Sequence, residues 1–229
     1  MPHKLSISKR LHLIASMIDK GSIIADVGCD HALLDIYLSK NGLVKKAIAC
    51  DVAPGPLKEA IKNVSLSNVF NIDVRLGDGL DAINKEDNVN TIVISGLGYQ
   101  KILDILRIGQ EKLNGVDTVI IQSNTGYDKI RRTLNKMGYY VKDEALVKER
   151  DIIYVVIKFQ KGYIKHNKKE IYFGPVLLEN KNTLFLELVQ KEIYKNTKII
   201  KSLPKRRIIK RVSLKIRNLL LKKEIQNFK

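Results

Sequence analysis

The sequence predicts an α/β fold, a doubly wound parallel sheet followed by a basic antiparallel two-helix appendage, and three observations carry that reading. Short β-rich apolar runs alternate with longer amphipathic segments as far as residue 161. Two of those runs, T-I-V-I-S and T-V-I-I-Q, are continuous rather than alternating, as in central strands buried on both faces. Beyond Lys161-Gly162 the strand signals stop and the charge changes. Residues 163–229 carry 18 Lys+Arg against 5 Glu, a net of +13 out of +17 for the chain. Two modules follow, 1–162 and 163–229, with the junction expected between Lys161 and Asn167.

Taken in order, residues 5–19 place Leu11, Ile14, Ala15 and Ile18 at helical spacing, so a helix ended by Gly21 precedes the first strand. Strands are expected at Ser22–Val27, Ala47–Val52, Asn71–Leu76, Asn90–Ser95, Asp117–Gln122 and Ile152–Phe159, with helices between them. In the second module a helix starts at Gly174-Pro175 and runs to about Leu203, where Pro204 breaks it. A second helix from about Lys205 has Ile208, Val212, Ile216 and Leu219 on one stripe. That stripe is expected to zip against the first helix like a coiled coil.

Composition removes several classes. No apolar run approaches the roughly 20 residues that span a bilayer, and the first residues hold no signal-like stretch, so a cytoplasmic protein with no membrane partner is expected. Cys29 and Cys50 are too few for a disulfide framework in a chain of 229 residues. With no C-x-x-C there is no zinc signature, and no metal is expected.

The chemistry-bearing residues gather at strand ends. Asp26 to Asp35 reads D-V-G-C-D-H-A-L-L-D, directly after the apolar Ile23-Ile24-Ala25. A strand ending in D-V-G and running into a helix near His31 presents backbone amides to a ligand. Asp30 stands where the second glycine of a G-x-G-x-x-G would be, which disfavours a dinucleotide oxidoreductase. The next strand ends at Asp51, about 20 residues on, where a carboxylate accepts both hydroxyls of a ribose. After the third strand, Asp78 sits between glycines in R-L-G-D-G-L, either as a turn residue or as an acceptor for an exocyclic amine. Three strand ends thus converge on one nucleoside. Asp26 and His31 each have a bland reading as well, loop support and helix capping.

These residues resemble the class I S-adenosylmethionine-dependent methyltransferases, and more narrowly the TrmK family of bacterial tRNA (adenine-N(1))-methyltransferases. The family's Leu-Ser and Arg-Leu are similar to Leu5-Ser6 and Arg10-Leu11, and its A-D-(I/V)-G-x-D-H-A loop to Ala25 through Ala32. Its G-P-L-x-x-A and V-R-x-G-D-G-L elements are similar to Gly55 through Ala60 and Val74 through Leu80. Gly96-Leu97-Gly98 and Gln122-Ser123-Asn124 resemble its G-M-G and Q-P-N. The resemblance covers about residues 4–160, and the helical hairpin resembles the family's extension in placement and composition. The chain departs from the pattern at Asp35, Tyr99 and Ser123, where the family has proline, glycine and proline.

The resemblance implies S-adenosylmethionine as cofactor, a Rossmann-like class I methyltransferase sheet, and methyl transfer to N-1 of an adenine in tRNA, at position twenty-two in the D-arm region. It implies cofactor contacts at Arg10, Asp26, Gly28, His31, Asp51, Val52, Asp78, Gly79 and Gly96. Asp30 is the candidate carboxylate for the charge that develops on the methylated base, and the amides of Gln122 and Asn124 are candidates for reading the adenine edge. Because N-1 lies on the pairing edge, the base must leave its stack, and the RNA must be held. Lys205, Arg206, Arg207, Lys210 and Arg211 are the candidate phosphate contacts, so tRNA is the expected partner and no obligate protein partner is inferred. The rival readings are methylation of another RNA base or of protein, and a non-catalytic RNA-binding module. The retained Gly28, Asp51 and Asp78 argue against the last.

Overall fold

The computed structural model describes residues 6–180 and 182–226, so Leu5 of the Leu-Ser element lies outside the described residues. The chain divides into two compact units, Met1–Val176 and Leu177–Lys229.

In the first unit, α1 (Lys9–Ser16) is capped by Ser8, whose hydroxyl accepts from the Leu11 amide, and it buries Ile14 and Ala15. The chain turns through Gly21, at φ +81°, into β1 (Ser22–Val27). Then follow α2 (Leu33–Lys40), β2 (Val44–Asp51), α3 (Pro54–Leu66), β3 (Ile72–Leu76), β4 (Thr91–Ser95), α4 (Tyr99–Ile108), β5 (Thr118–Ser123) and α5 (Tyr127–Lys136). The unit closes with β6 (Tyr139–Glu149), β7 (Ile152–Lys161) and the short α6 (Lys168–Phe173). All six expected strands are present to within three residues at either end.

The seven strands lie in the order β3-β2-β1-β4-β5-β7-β6. β1 to β5 pair in parallel, whereas β7 runs antiparallel to both β5 and β6, so the sheet is mixed rather than wholly parallel. β6 is the strand that periodicity did not show. Its sequence Y-Y-V-K-D-E-A-L-V-K-E interleaves five charged residues with apolar ones without strict alternation, and its register shifts between Val141 and Asp143. One polar residue on it is buried for a reason. Glu144 accepts from Arg131 Nε at 2.6 Å, with both side chains at 1% exposure or less. Arg131 Nη1 also donates to the carbonyls of Ile171 and Tyr172 at 3.2 and 3.1 Å. Gly174, at φ +98°, passes so close that a Cβ there would overlap the Glu144 carboxylate and the Arg131 guanidinium. This knot places residues 163–176, expected with the helices, in the first unit instead.

The core is aliphatic and continuous across the sheet. Ile24, Ala47, Val93, Ile120 and Val156, one from each of five strands, are fully buried against Ile14 of α1 and Leu38 of α2. Such packing removes one whole face of the sheet from water and fixes the strand ends relative to one another.

The second unit is built on α8 (Thr183–Ser202) and α9 (Ile208–Gln226), with the short α7 (Pro175–Asn180) ahead of them. The single long helix expected from Gly174-Pro175 is interrupted, because Asn182 caps α8 by accepting from the Phe185 amide. α9 begins later than expected, after the turn that follows Pro204. The two helices run antiparallel: Glu192 meets Arg217 at 2.9 Å, Asn196 meets Asn218 at 3.0 Å, and Arg211 reaches the carbonyls of Ile200 and Leu203.

Those polar contacts also overturn the expected stripe. Ile208, Val212, Ile216 and Leu219 are 65, 48, 53 and 66% exposed, and α9 buries Asn218, Leu221 and Glu224 instead. Arg211 capping the end of α8 and the paired Asn196 and Asn218 rotate α9 so that its other face meets α8. Lys205, Arg206, Arg207 and Lys210 are exposed, while Arg211 is partly buried by its capping role. Among the described residues no helix is long and apolar enough to cross a membrane.

Candidate cofactor site

The site lies at the carboxyl ends of β1 to β4, where the chain, having stepped outward from β1 to β3, returns to add β4 on the other side of β1. The loop after β1 is sharply coiled. Gly28, Asp30 and Ala32 have φ of +79, +52 and +55°, a left-handed series that glycine tolerates freely and the other two hold at a cost. Amides of Gly28 and Cys29 donate to the Cys50 carbonyl at 2.8 and 3.0 Å, pinning the loop to β2. Asp51, at the end of β2, accepts from the Asp30 amide at 3.3 Å and from the Ala53 amide at 2.8 Å. Its carboxylate is therefore oriented by backbone from both sides before any ligand arrives.

A cavity of about 430 Å³ opens here, and Asp30 and the nine residues expected to meet the cofactor all line it. Asp78 and His31 each have a charged neighbour in the cavity wall. Asp78 Oδ1 accepts from Lys101 Nζ at 2.9 Å, and His31 Nε2 lies 3.5 Å from Asp30 Oδ1. His31 stands in the loop, two residues ahead of α2, rather than at its first turn. Gly79, at φ +63°, lies over Ile105 of α4, which also lines the cavity.

Neither Gln122 nor Asn124 lines the cavity: Gln122 is buried behind it, and Asn124 is exposed just past the end of β5. Gln122 is 1% exposed, and its Oε1 accepts from both Arg10 Nη1 at 2.9 Å and the Gly96 amide at 3.0 Å. Its Nε2 donates to Asn124 Oδ1 at 3.2 Å. Through Gln122 the first helix, the end of β4 and the end of β5 are tied together, and Arg10 is held with its guanidinium 5.7 Å from the Tyr154 ring centroid. Gln122 thus positions Arg10.

The floor of the cavity is electrostatically unusual. Asp26 is 3% exposed, and burial pushes its carboxyl up to about 7, moderated by a hydrogen bond with Asp35 and by Arg10. Asp35, fully buried in α2, is pushed well above the carboxylate range by burial and then by Asp26. Burial likewise raises the Cys50 thiol to about 12, and it raises Cys29, which lines the cavity, further still. Both cysteines are unpaired thiols. Among the described residues no cluster of three His, Cys, Asp or Glu is arranged to hold a metal.

The sequence assigns no site role to Lys101, and Asp35 stands out only as a departure from the family pattern. Lys101 carries no local signal, since its link to Asp78 spans 23 residues and exists only in the folded chain. Asp35 was visible as an acid in a predicted helix beside apolar neighbours. Its complete burial was not.

The donor set suits S-adenosylmethionine. Asp26 offers a buried oxygen without a hydrogen-bond partner for a cationic group, and Asp51 offers an oriented acceptor for paired hydroxyls. Comparison with known proteins agrees. Residues 24–226 match the family model TrmK, tRNA (adenine(22)-N(1))-methyltransferase. The chain is 34% identical over 202 residues to the tRNA (adenine(22)-N(1))-methyltransferase of Bacillus subtilis, covering 83% of each. It superposes on a Streptococcus pneumoniae protein solved in complex with S-adenosyl-L-methionine, with a TM-score of 0.88, 34% identity, and coverage of 96% of this chain and 99% of the other. It matches Mycoplasma capricolum TrmK, solved with S-adenosyl-homocysteine, with a TM-score of 0.86, 34% identity and 97 and 99% coverage. Family model, sequence identity and structural superposition agree, and this chain belongs to the TrmK family of S-adenosylmethionine-dependent tRNA methyltransferases.

Proposed function

We propose that the cavity holds S-adenosylmethionine for transfer of its methyl group to N-1 of adenine 22 in tRNA, and that the basic hairpin grips the RNA. The observation that carries this reading is the convergence of Asp26, Asp51 and Asp78 from three strand ends on one cavity. The cofactor supplies an electrophilic methyl group on a cationic sulfur. Asp51 takes the ribose hydroxyls, Asp26 the cationic amino-acid end, and Asp78 with Lys101 borders the position of the nucleobase. Arg10, fixed by Gln122, supplies a positive charge for a carboxylate.

No protein nucleophile is needed, because the adenine N-1 lone pair attacks the methyl carbon directly while the carbon–sulfur bond breaks. The work of the chain is alignment and exclusion of water. The methylated base is cationic, and Asp30, 70% exposed at the mouth of the cavity, is placed to stabilise it or to take a proton from the exocyclic nitrogen. Asn124, exposed at the end of β5 and hydrogen-bonded to Gln122, remains the candidate for reading the adenine edge.

In the hairpin Lys205, Arg206, Arg207 and Lys210 face solvent and are free to neutralise phosphates, with Arg211 contributing mainly by shaping the turn. We place the reaction in the cytoplasm, with no metal and no obligate protein partner. The test is transfer of labelled methyl from S-adenosylmethionine to unmodified tRNA, followed by nucleoside analysis and site mapping. 1-Methyladenosine at position 22 is the expected product, and a label on any other base or on protein would overturn the reading.

A further inference from the structure

Asp35 sits in the first turn of α2, close behind the loop that lines the cavity, and it is 0% exposed. Neither of its oxygens has a partner in hydrogen-bond geometry among the described residues, its own amide offering only partial compensation, and Asp26 Oδ1 likewise has none. Two buried charged carboxylates left in that state would both be strongly disfavoured. The arrangement is satisfied only if the pair keeps a proton, as when two carboxyls share a site.

We propose that Asp35 is a positioning residue for the cofactor: it stays a neutral acid, donates its hydrogen bond to Asp26, and so holds Asp26 as the one buried carboxylate presented to a cationic ligand group. This rests on the reading of Asp26 as a cofactor residue. The surroundings fit the assignment. Burial raises both acids, Arg10 favours charge on Asp26 while Asp51 opposes it, and the bond from Asp35 acts to lower Asp26. The remaining titratable neighbours, Cys29 and Cys50, are thiols that burial keeps protonated and uncharged. Asp35 therefore decides which of the two acids carries the charge, and at what acidity Asp26 loses it.

The test is calorimetric binding of S-adenosylhomocysteine to the full chain from mildly acid to mildly alkaline pH, with Asp35→Asn and Asp35→Leu. The amide of the asparagine preserves a neutral donor, so Asp35→Asn should keep both the affinity and the acid limb of the wild type. Leucine removes the donor, so the acid limb should move up by about one pH unit, weakening binding about tenfold near neutrality. Equal losses in the two variants, or no change in Asp35→Leu, would overturn the proposal. A measurement that does not depend on the leucine variant folding is the infrared band of a protonated carboxyl in the wild type at mildly alkaline pH. It should be present and should vanish in Asp35→Asn, and its absence from the wild type would equally overturn the assignment. Asp26→Asn separates the two layers of the argument. Unchanged affinity there would remove Asp26 from the site and this proposal with it, whereas a loss at Asp26 without separation of the Asp35 variants would remove the role of Asp35 alone.

Discussion

The two units pack differently. In Met1–Val176 five strands meet through fully buried aliphatic side chains, and buried polar groups include ones that orient a neighbour, as Gln122 does for Arg10. In Leu177–Lys229 only a small apolar set, including Phe185, Val189 and Leu221, is buried; the helices also meet through an Asn196–Asn218 pair and capping by Arg211, and aliphatic residues such as Ile209 and Leu219 are 88 and 66% exposed. The difference matches the proposed loads. A methyl donor has to be held to within a fraction of an ångström, which needs a stiff scaffold, whereas a polyanion is attracted by charge that tolerates imprecision.

The comparison is most severely tested at Arg131. Truncation to alanine removes the buried guanidinium that Glu144 and the segment through Gly174 share. A destabilisation of about 3–5 kcal/mol in chemical denaturation is expected. A cost under about 1 kcal/mol would mean that the first unit is not locked there.

Next in size, removing residues 177–229 should weaken tRNA binding by about 100-fold at moderate salt and flatten its salt dependence, leaving cofactor affinity untouched. The cut belongs after residue 176, because the preceding segment is tied into the first unit. Equal tRNA affinity and salt slope in the truncated chain would refute the division of labour.

Asp51→Ala should do the converse. Loss of the oriented acceptor predicts about 10–30-fold weaker cofactor binding by calorimetry with tRNA affinity retained. An unchanged cofactor affinity would sink the ribose assignment.

The smallest effect is a trend with pH. The folded chain raises Asp26 to about 7 and Asp35 higher than an ordinary carboxyl, so this pair's contribution to stability is fully present at low pH and lost as pH rises through about 7. Asp87, held by Arg75 well below the usual carboxylate range, contributes the opposite way, above the unfolded value and lost in acid. Thermal denaturation should therefore show stability rising from neutral to mildly acid pH and falling again in stronger acid. A flat profile between mildly acid pH and neutrality would argue that the Asp26–Asp35 pair does not hold its proton.

What the sequence made legible follows the same divide. Continuous apolar runs revealed the central strands, and acids spaced at strand ends revealed the cavity, because burial on both faces and a ligand at the sheet's edge each impose a local pattern. β6 escaped because Glu144 is buried by a partner 13 residues away rather than by its own apolarity. The register of α9 is not legible because its aliphatic stripe faces solvent, while the contacts that set it are polar and lie on the other helix. Lys101 and Asp35 escaped for a related reason, since neither belongs to a spacing that chain-local chemistry prescribes.

One side chain in the cavity wall has an implication for the enzyme's survival. Cys29 lines the cavity that we propose holds the sulfonium donor, and a thiolate there would be a better nucleophile than adenine. Burial, reinforced by the surrounding acids, keeps it a thiol. The buried, acidic floor proposed to receive the donor would thus protect the protein from alkylating itself during the wait for RNA, so that each cofactor bound is reserved for its substrate.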